Sequence, residues 1–86
     1  MKTVDVEEYK KLIEWLKIQR QTARHTHRSL APLLNVSHAS IWKTESLNRR
    51  LDIIEYIRYC KALNADPMEG LKCLTAMYQS QTTKAA

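Results

Sequence analysis

An all-α fold, a compact bundle of five helices, is what this 86-residue chain predicts. Three observations carry the expectation. Gly occurs once and Pro twice, so sharp turns are few. Good helix formers such as Ala, Leu, Lys, Glu and Gln are abundant, while β-branched runs are short. Apolar residues also recur at three-to-four spacing between capping residues. With 44% apolar residues the chain supports one small domain with a modest core. Its length excludes a two-domain enzyme or a repeat array.

The elements follow in order. Asp5 with Glu8 three residues on forms a capping-box pattern for the first helix, whose stripe is Tyr9, Leu12, Ile13 and Leu16. Trp15 and Ile18 lie off the centre of that stripe, against another element. Thr26 caps a short second helix carrying Leu30, Ala31, Leu33 and Leu34, and Asn35 suits the left-handed turn after it. Ser37 caps a third helix with Ile41 inward and a polar outer face. Asp52 and Glu55 open a fourth, with the stripe Ile53, Tyr56, Ile57, Cys60 and Leu63, and Asn64 ends it. Asp66-Pro67-Met68-Glu69 is a strong start for the fifth: a capping Asp, then Pro at the first helical position. Its stripe is Met68, Leu71, Leu74 and Met77 or Tyr78. Residues 80–86 read as a flexible tail, leaving residues 1–79 as the domain.

Charge is concentrated in the middle of the chain. The net charge of +5 comes from 14 basic and 9 acidic residues. Residues 17–50 hold Lys17, Arg20, Arg24, Arg28, Lys43, Arg49 and Arg50 against Glu45 alone, with His25, His27 and His38 among them. Both flanks are nearly balanced. A solvated helix face normally mixes its signs, so a one-signed segment points to a polyanion-binding surface.

Other classes are disfavoured. No apolar run approaches the ~18–20 residues of a membrane span, and the start lacks a hydrophobic signal region, so an intracellular protein is expected. Cys60 and Cys73 form no Cys-x-x-Cys pair and read as two small core residues in a reducing compartment. His25, His27 and His38 match no zinc spacing, so no metal or other cofactor is expected. No His–carboxylate pairing at a plausible spacing supports catalysis, so the chain does not read as an enzyme. RNA binding is disfavoured because there is neither an aromatic-rich β-surface nor a glycine-rich clamp.

Residues 26–45 carry the most specific pattern: Leu30-Ala31, Asn35-Val36-Ser37, Ile41 and Glu45 in register. Ala31 is small where two helices cross, Val36 is placed to plug the turn against the core, and Ile41 anchors the third helix from beneath. This frame resembles the Cro/cI-type (XRE-like) helix-turn-helix family of phage and bacterial transcriptional regulators. The resemblance runs from about Leu12 to Leu71. Arg20 matches a first-helix Arg that in some members pairs with the glutamate ending the third helix, here Glu45. Arg49-Arg50-Leu51-Asp52 and Cys60-Lys61-Ala62-Leu63 look like the family's fourth-helix segment. Four positions depart from the pattern. Arg24 and Asn35 stand where the family often has Gly, and His25 stands where it buries an apolar side chain. Pro32 falls inside the second helix, which is therefore expected to be short or distorted there.

The resemblance implies a Cro/cI-repressor-like bundle with its helix-turn-helix at about residues 26–45. It also implies a cytoplasmic regulator of double-stranded DNA, in a bacterium or a phage-infected host. The third helix would enter the major groove, which admits one α-helix. The implied base readers are His38, Ala39, Trp42 and Lys43; partial burial of Trp42 against the fourth helix is the alternative for that residue. Arg24, His27, Arg28, Ser37, Ser40, Arg49 and Arg50 are candidate phosphate contacts, although Ser37 also serves as the cap. One small domain reads few base pairs, so a homodimer on a pseudo-palindrome is expected, with half-sites ~34 Å apart. Met68, Leu71, Leu74, Met77 and Tyr78 are the candidate interface; closing the monomer core is their other reading. A second function class is an antitoxin-type module that also binds a protein partner. Exposed apolar area beyond the dimer patch would favour it.

Overall fold

The computed structural model describes residues 7–82, with side chains through residue 76. Its five helices are α1 (Glu7–Thr22), α2 (His27–Leu34), α3 (His38–Glu45), α4 (Ile53–Leu63) and α5 (Pro67–Thr82). Asp5, the expected cap of α1, lies outside the described residues. α5 reaches Thr82, into the segment read as a tail, and residues 83–86 lie outside the description.

The α1 stripe Tyr9, Leu12, Ile13 and Leu16 is buried and forms the base of the core. Leu30, Ala31 and Leu34 of α2, Ile41 of α3 and Tyr56, Tyr59, Cys60 and Leu63 of α4 close over it. Cys60 is fully buried, whereas Cys73 is only half-buried, and both are free thiols. Trp15 packs against Tyr56 at 6.4 Å between ring centroids, tying α1 to α4. α5 runs back along α1, with Gly70 beside Trp15 and with Leu71 and Leu74 lining a groove shared with Tyr9 and Leu12. The Tyr56 hydroxyl donates to the Pro67 carbonyl and fixes the start of α5.

Caps set the helix boundaries. Thr26 and Ser29 form a reciprocal capping box on α2, and Asp52 and Glu55 form another on α4. Ser37 Oγ accepts from Ser40 N at 3.2 Å, and Asp66 Oδ1 accepts from Met68 N at 3.0 Å. The first four helices all end in one motif. The residue past each end has φ near +60°: Arg24 (62°), Asn35 (56°), Leu47 (66°) and Asn64 (56°). Each donates its N–H back three residues, and the next N–H reaches back five, as in His25 N to Arg20 O and Asn48 N to Lys43 O. These are Schellman motifs, which satisfy the last carbonyls of a helix. None of the four is glycine.

Two expectations need correction. Val36 does not plug the turn against the core; it is 39% exposed. Its backbone N–H closes α2 onto the Ala31 carbonyl, while Leu34 and Ile41 fill the space beneath. Ile53 is 60% exposed rather than part of the α4 stripe, because it sits in the first turn, beyond the rim of the core. The buried place belongs instead to Tyr59. α2 is short, as expected, and runs on through Pro32, which lies on the exposed side, where water can serve the Arg28 carbonyl that the ring leaves unbonded.

Candidate nucleic-acid interface

α3 is held from below and left open above. Ile41 and Thr44 are its inward residues, and Thr44 Oγ1 donates to the Ser40 carbonyl at 3.0 Å. His38, Ala39, Trp42 and Lys43 stand at the spacing of one helix face and are all exposed. Trp42 is 54% exposed and borders a surface pocket with Lys17 and Arg20 of α1 and His27 of α2. A donor–acceptor imidazole, a methyl, an indole and an ammonium therefore share one face.

The C-terminal end of α3 is locked to α1 and α2 by a polar cluster. Arg20 Nε donates to Glu45 Oε2 at 2.6 Å, and Nη2 donates to Oε1 at 3.0 Å. The third guanidinium nitrogen donates to the His25 carbonyl at 2.7 Å. His27 Nε2 lies 3.0 Å from Glu45 Oε1. The Arg20 and Glu45 side chains are 11% and 8% exposed. Burial alone pushes the Glu45 carboxyl up, but hydrogen bonds from Arg20 and then His27 outweigh it and hold the group below its ordinary value.

The phosphate candidates divide into free and engaged groups. Arg24 and Arg28 are exposed. Ser37 and Ser40 bond each other at 3.2 Å within the cap. Arg49 pairs with Glu55 and also reaches Thr44 Oγ1 at 3.5 Å. The pairing with Glu55 holds the Arg49 guanidinium more firmly charged than usual. Arg50 lies 5.5 Å over the Tyr9 ring. The Tyr9 hydroxyl donates to the Arg49 carbonyl and accepts from Leu51 N at 2.9 Å, so α1 fixes the loop that carries both arginines. The cations of this loop are thus positioned rather than free.

Lys17 is a residue the motif frame missed. It lines a surface pocket of about 200 Å³ with Arg20, His27, Trp42, Glu45 and Ser46. The one-signed charge of residues 17–50 was its signal. Of the candidate interface residues on α5, Met68 is exposed and Leu71 and Leu74 are half-buried. The side chains of Met77 and Tyr78 lie outside the described residues. Among the described residues no group of three His, Cys, Asp or Glu side chains is placed to hold a metal ion. No described helix is long and apolar enough to cross a membrane.

Two capped short helices joined by a left-handed turn, the second presenting a polar face over an apolar anchor, define the helix-turn-helix class of DNA-binding regulators. A solved structure described as an XRE-family like protein from Pseudomonas syringae pv. tomato str. DC3000 gives the particular family. It superposes with a TM-score of 0.76 and is 36% identical, over 81% of this chain and 85% of that one. The chain belongs to the XRE family. No family model and no curated protein matches the sequence.

Proposed function

We propose that this protein is a sequence-specific regulator of double-stranded DNA, a small repressor that binds a pseudo-palindromic operator as a dimer. The observation that carries the reading is the exposed face His38, Ala39, Trp42 and Lys43 on a helix anchored by Ile41, Thr44 and Glu45. A rigid base matters because base-edge hydrogen bonds tolerate little misplacement. Lys43 donates to guanine O6 or N7, Ala39 sits on a thymine methyl, and His38 bonds a base edge. Trp42 supplies apolar contact. Arg24, His27, Arg28, Arg49 and Arg50 hold phosphates, and Ser37 and Ser40 supply hydroxyls at the start of α3. Met68, Leu71 and Leu74, continued by Met77 and Tyr78, form the contact between protomers. The protein works in the cytoplasm by binding, not catalysis.

Fluorescence anisotropy against DNA from upstream of its own gene, with a scrambled duplex as control, tests this reading. Preference for the upstream duplex by ~10³-fold, steeply weakened by salt, is expected. Equal weak binding to both duplexes overturns it. Lys43→Ala should cost ~1–3 kcal/mol of discrimination at one base pair.

A second reading, an antitoxin-type module with a protein partner, is favoured by a different observation. Leu33, Ile18, Ile53 and Ile54 are well exposed outside the proposed dimer contact. Co-purification with the product of a neighbouring gene, retained by His38→Ala and lost on Leu33→Asp, would move it ahead.

A further inference from the structure

We propose that Glu45 acts through His27 to make a phosphate contact depend on a proton: His27 holds a DNA backbone phosphate as an imidazolium, clamped between that phosphate and the Glu45 carboxylate. DNA binding then takes up a proton at each half-site. The inference rests on the DNA-binding reading above and deepens it.

The geometry dictates the chemistry. An ionised carboxylate only accepts, so the 3.0 Å contact requires the hydrogen of His27 to sit on Nε2. Arg20 occupies both oxygens of the same carboxylate, which keeps it from turning away. Nδ1 then carries a lone pair in the neutral ring and an N–H in the charged one. Among the described residues nothing hydrogen-bonds Nδ1. A phosphate oxygen is an acceptor, so it repels the neutral Nδ1 and accepts from the protonated one. His27 is the first residue of α2, where the helix dipole favours an anion, and it borders the pocket that also holds Lys17.

The charges around the ring come from three helices. Lys17 and Arg20 of α1 and Arg28 beside it on α2 oppose its charge; Glu45 of α3 favours it. The imidazole of His25 is engaged with Ser29 Oγ at 2.9 Å. An arriving phosphate adds a second negative group and tips the balance toward the imidazolium. Glu45 is thus a positioning residue: it fixes the tautomer and the ring orientation, and His27 makes the contact.

The test is anisotropy with the upstream duplex at pH 6 and pH 8 at fixed salt, for the wild type, His27→Gln, His38→Gln and Glu45→Gln. Calorimetry in two buffers of different ionisation heat counts the protons. The wild type should bind ~10-fold more weakly at pH 8, the effect of one proton linked through one opposite charge. His27→Gln should bind with one affinity at both pH values, because its amide donates at any pH, whereas His38→Gln should keep the slope. Glu45→Gln should shrink it, and ¹⁵N spectra of the free wild type should show the Nε2–H form of His27. If the wild type binds the duplex with a flat profile, or the slope survives His27→Gln, the inference falls while the DNA-binding reading stands. If no duplex binds at either pH, both fall together.

Discussion

The two sides of α1 are held by different physics. Toward α2 and α3 the C-terminal end of α1 is held by a polar junction: Arg20, Glu45 and His27 form a hydrogen-bonded cluster whose partners lie 2.6–3.0 Å apart. Toward α4 and α5 the contact is an aromatic seam, with Trp15 and Tyr56 packed around the Cα of Gly70. A seam tolerates any pair of surfaces that fit, whereas a bidentate Arg–carboxylate pair accepts one geometry. The polar junction therefore fixes the angle at which α3 leaves the body, and the seam supplies burial. Orientation is placed where the proposed DNA contact needs it.

The largest effect should come from breaking the polar junction. Glu45→Ala leaves the Arg20 guanidinium buried and unpaired, which costs ~3–5 kcal/mol, readable as a fall in the urea midpoint. Acid should do the same gradually. The folded-state value of Glu45 is lowered, so its contribution is complete above about pH 4.5, the ordinary carboxylate value, and is lost as pH falls through the lower folded value. Stability measured from pH 6 down to pH 2 should show this limb in the wild type, and Glu45→Gln should lack it.

The seam should break by overpacking. A methyl on Gly70 would meet the Tyr56 hydroxyl and Trp15 ring carbons at 2.8 Å. Neither yields easily: the hydroxyl is tied to the Pro67 carbonyl, and the indole packs on the Tyr56 ring. Gly70→Ala gains about 1 kcal/mol of helix propensity and loses ~1–3 kcal/mol to strain. The net loss, up to ~2 kcal/mol, should lower Tm by up to ~16 °C, with DNA affinity unchanged below the transition. A rise in Tm would show that the seam is looser than its contacts imply.

How much was legible in the sequence differs between these two sides as well. Helix order, the caps at Thr26, Ser37, Asp52 and Asp66, and the stripe of α1 are local patterns, and each reads from neighbouring residues. The turns at Asn35 and Asn64 were also readable, because Asn tolerates the left-handed region. The same turn at Leu47 carried no signal, since leucine has no preference for it; what holds it there is packing against the core. Ile53 and Tyr59 were exchanged in the stripe of α4 because periodicity does not show where a helix enters the core. His27 was assigned from the family frame to a phosphate, and its bond to Glu45 was invisible, because that bond depends on how three helices cross. The exposed face of α3 was legible as a polar surface; in the lock behind its C-terminal end, the Arg20–Glu45 pair was legible only through the family resemblance and the His27 contact not at all.

The smallest effect should separate stability from function in the turn that leads into the polar junction. Arg24 adopts φ 62° where a glycine would sit without strain, and its side chain is exposed. A non-glycine residue there costs ~1–2 kcal/mol, part of which glycine returns through its greater freedom in the unfolded chain. Arg24→Gly should therefore stabilise the protein by ~0.5–1 kcal/mol. Asn35→Gly, at the same kind of turn, should change stability by only a few tenths of that unit, because Asn tolerates the conformation. The strain at Arg24 then needs a reason, and its charge beside the start of α2 supplies one. If Arg24 holds a phosphate, Arg24→Gly should weaken DNA binding and reduce the salt slope by about one counterion while raising Tm. A variant that gains Tm with its salt slope unchanged would remove Arg24 from the contact surface and leave its strain unexplained.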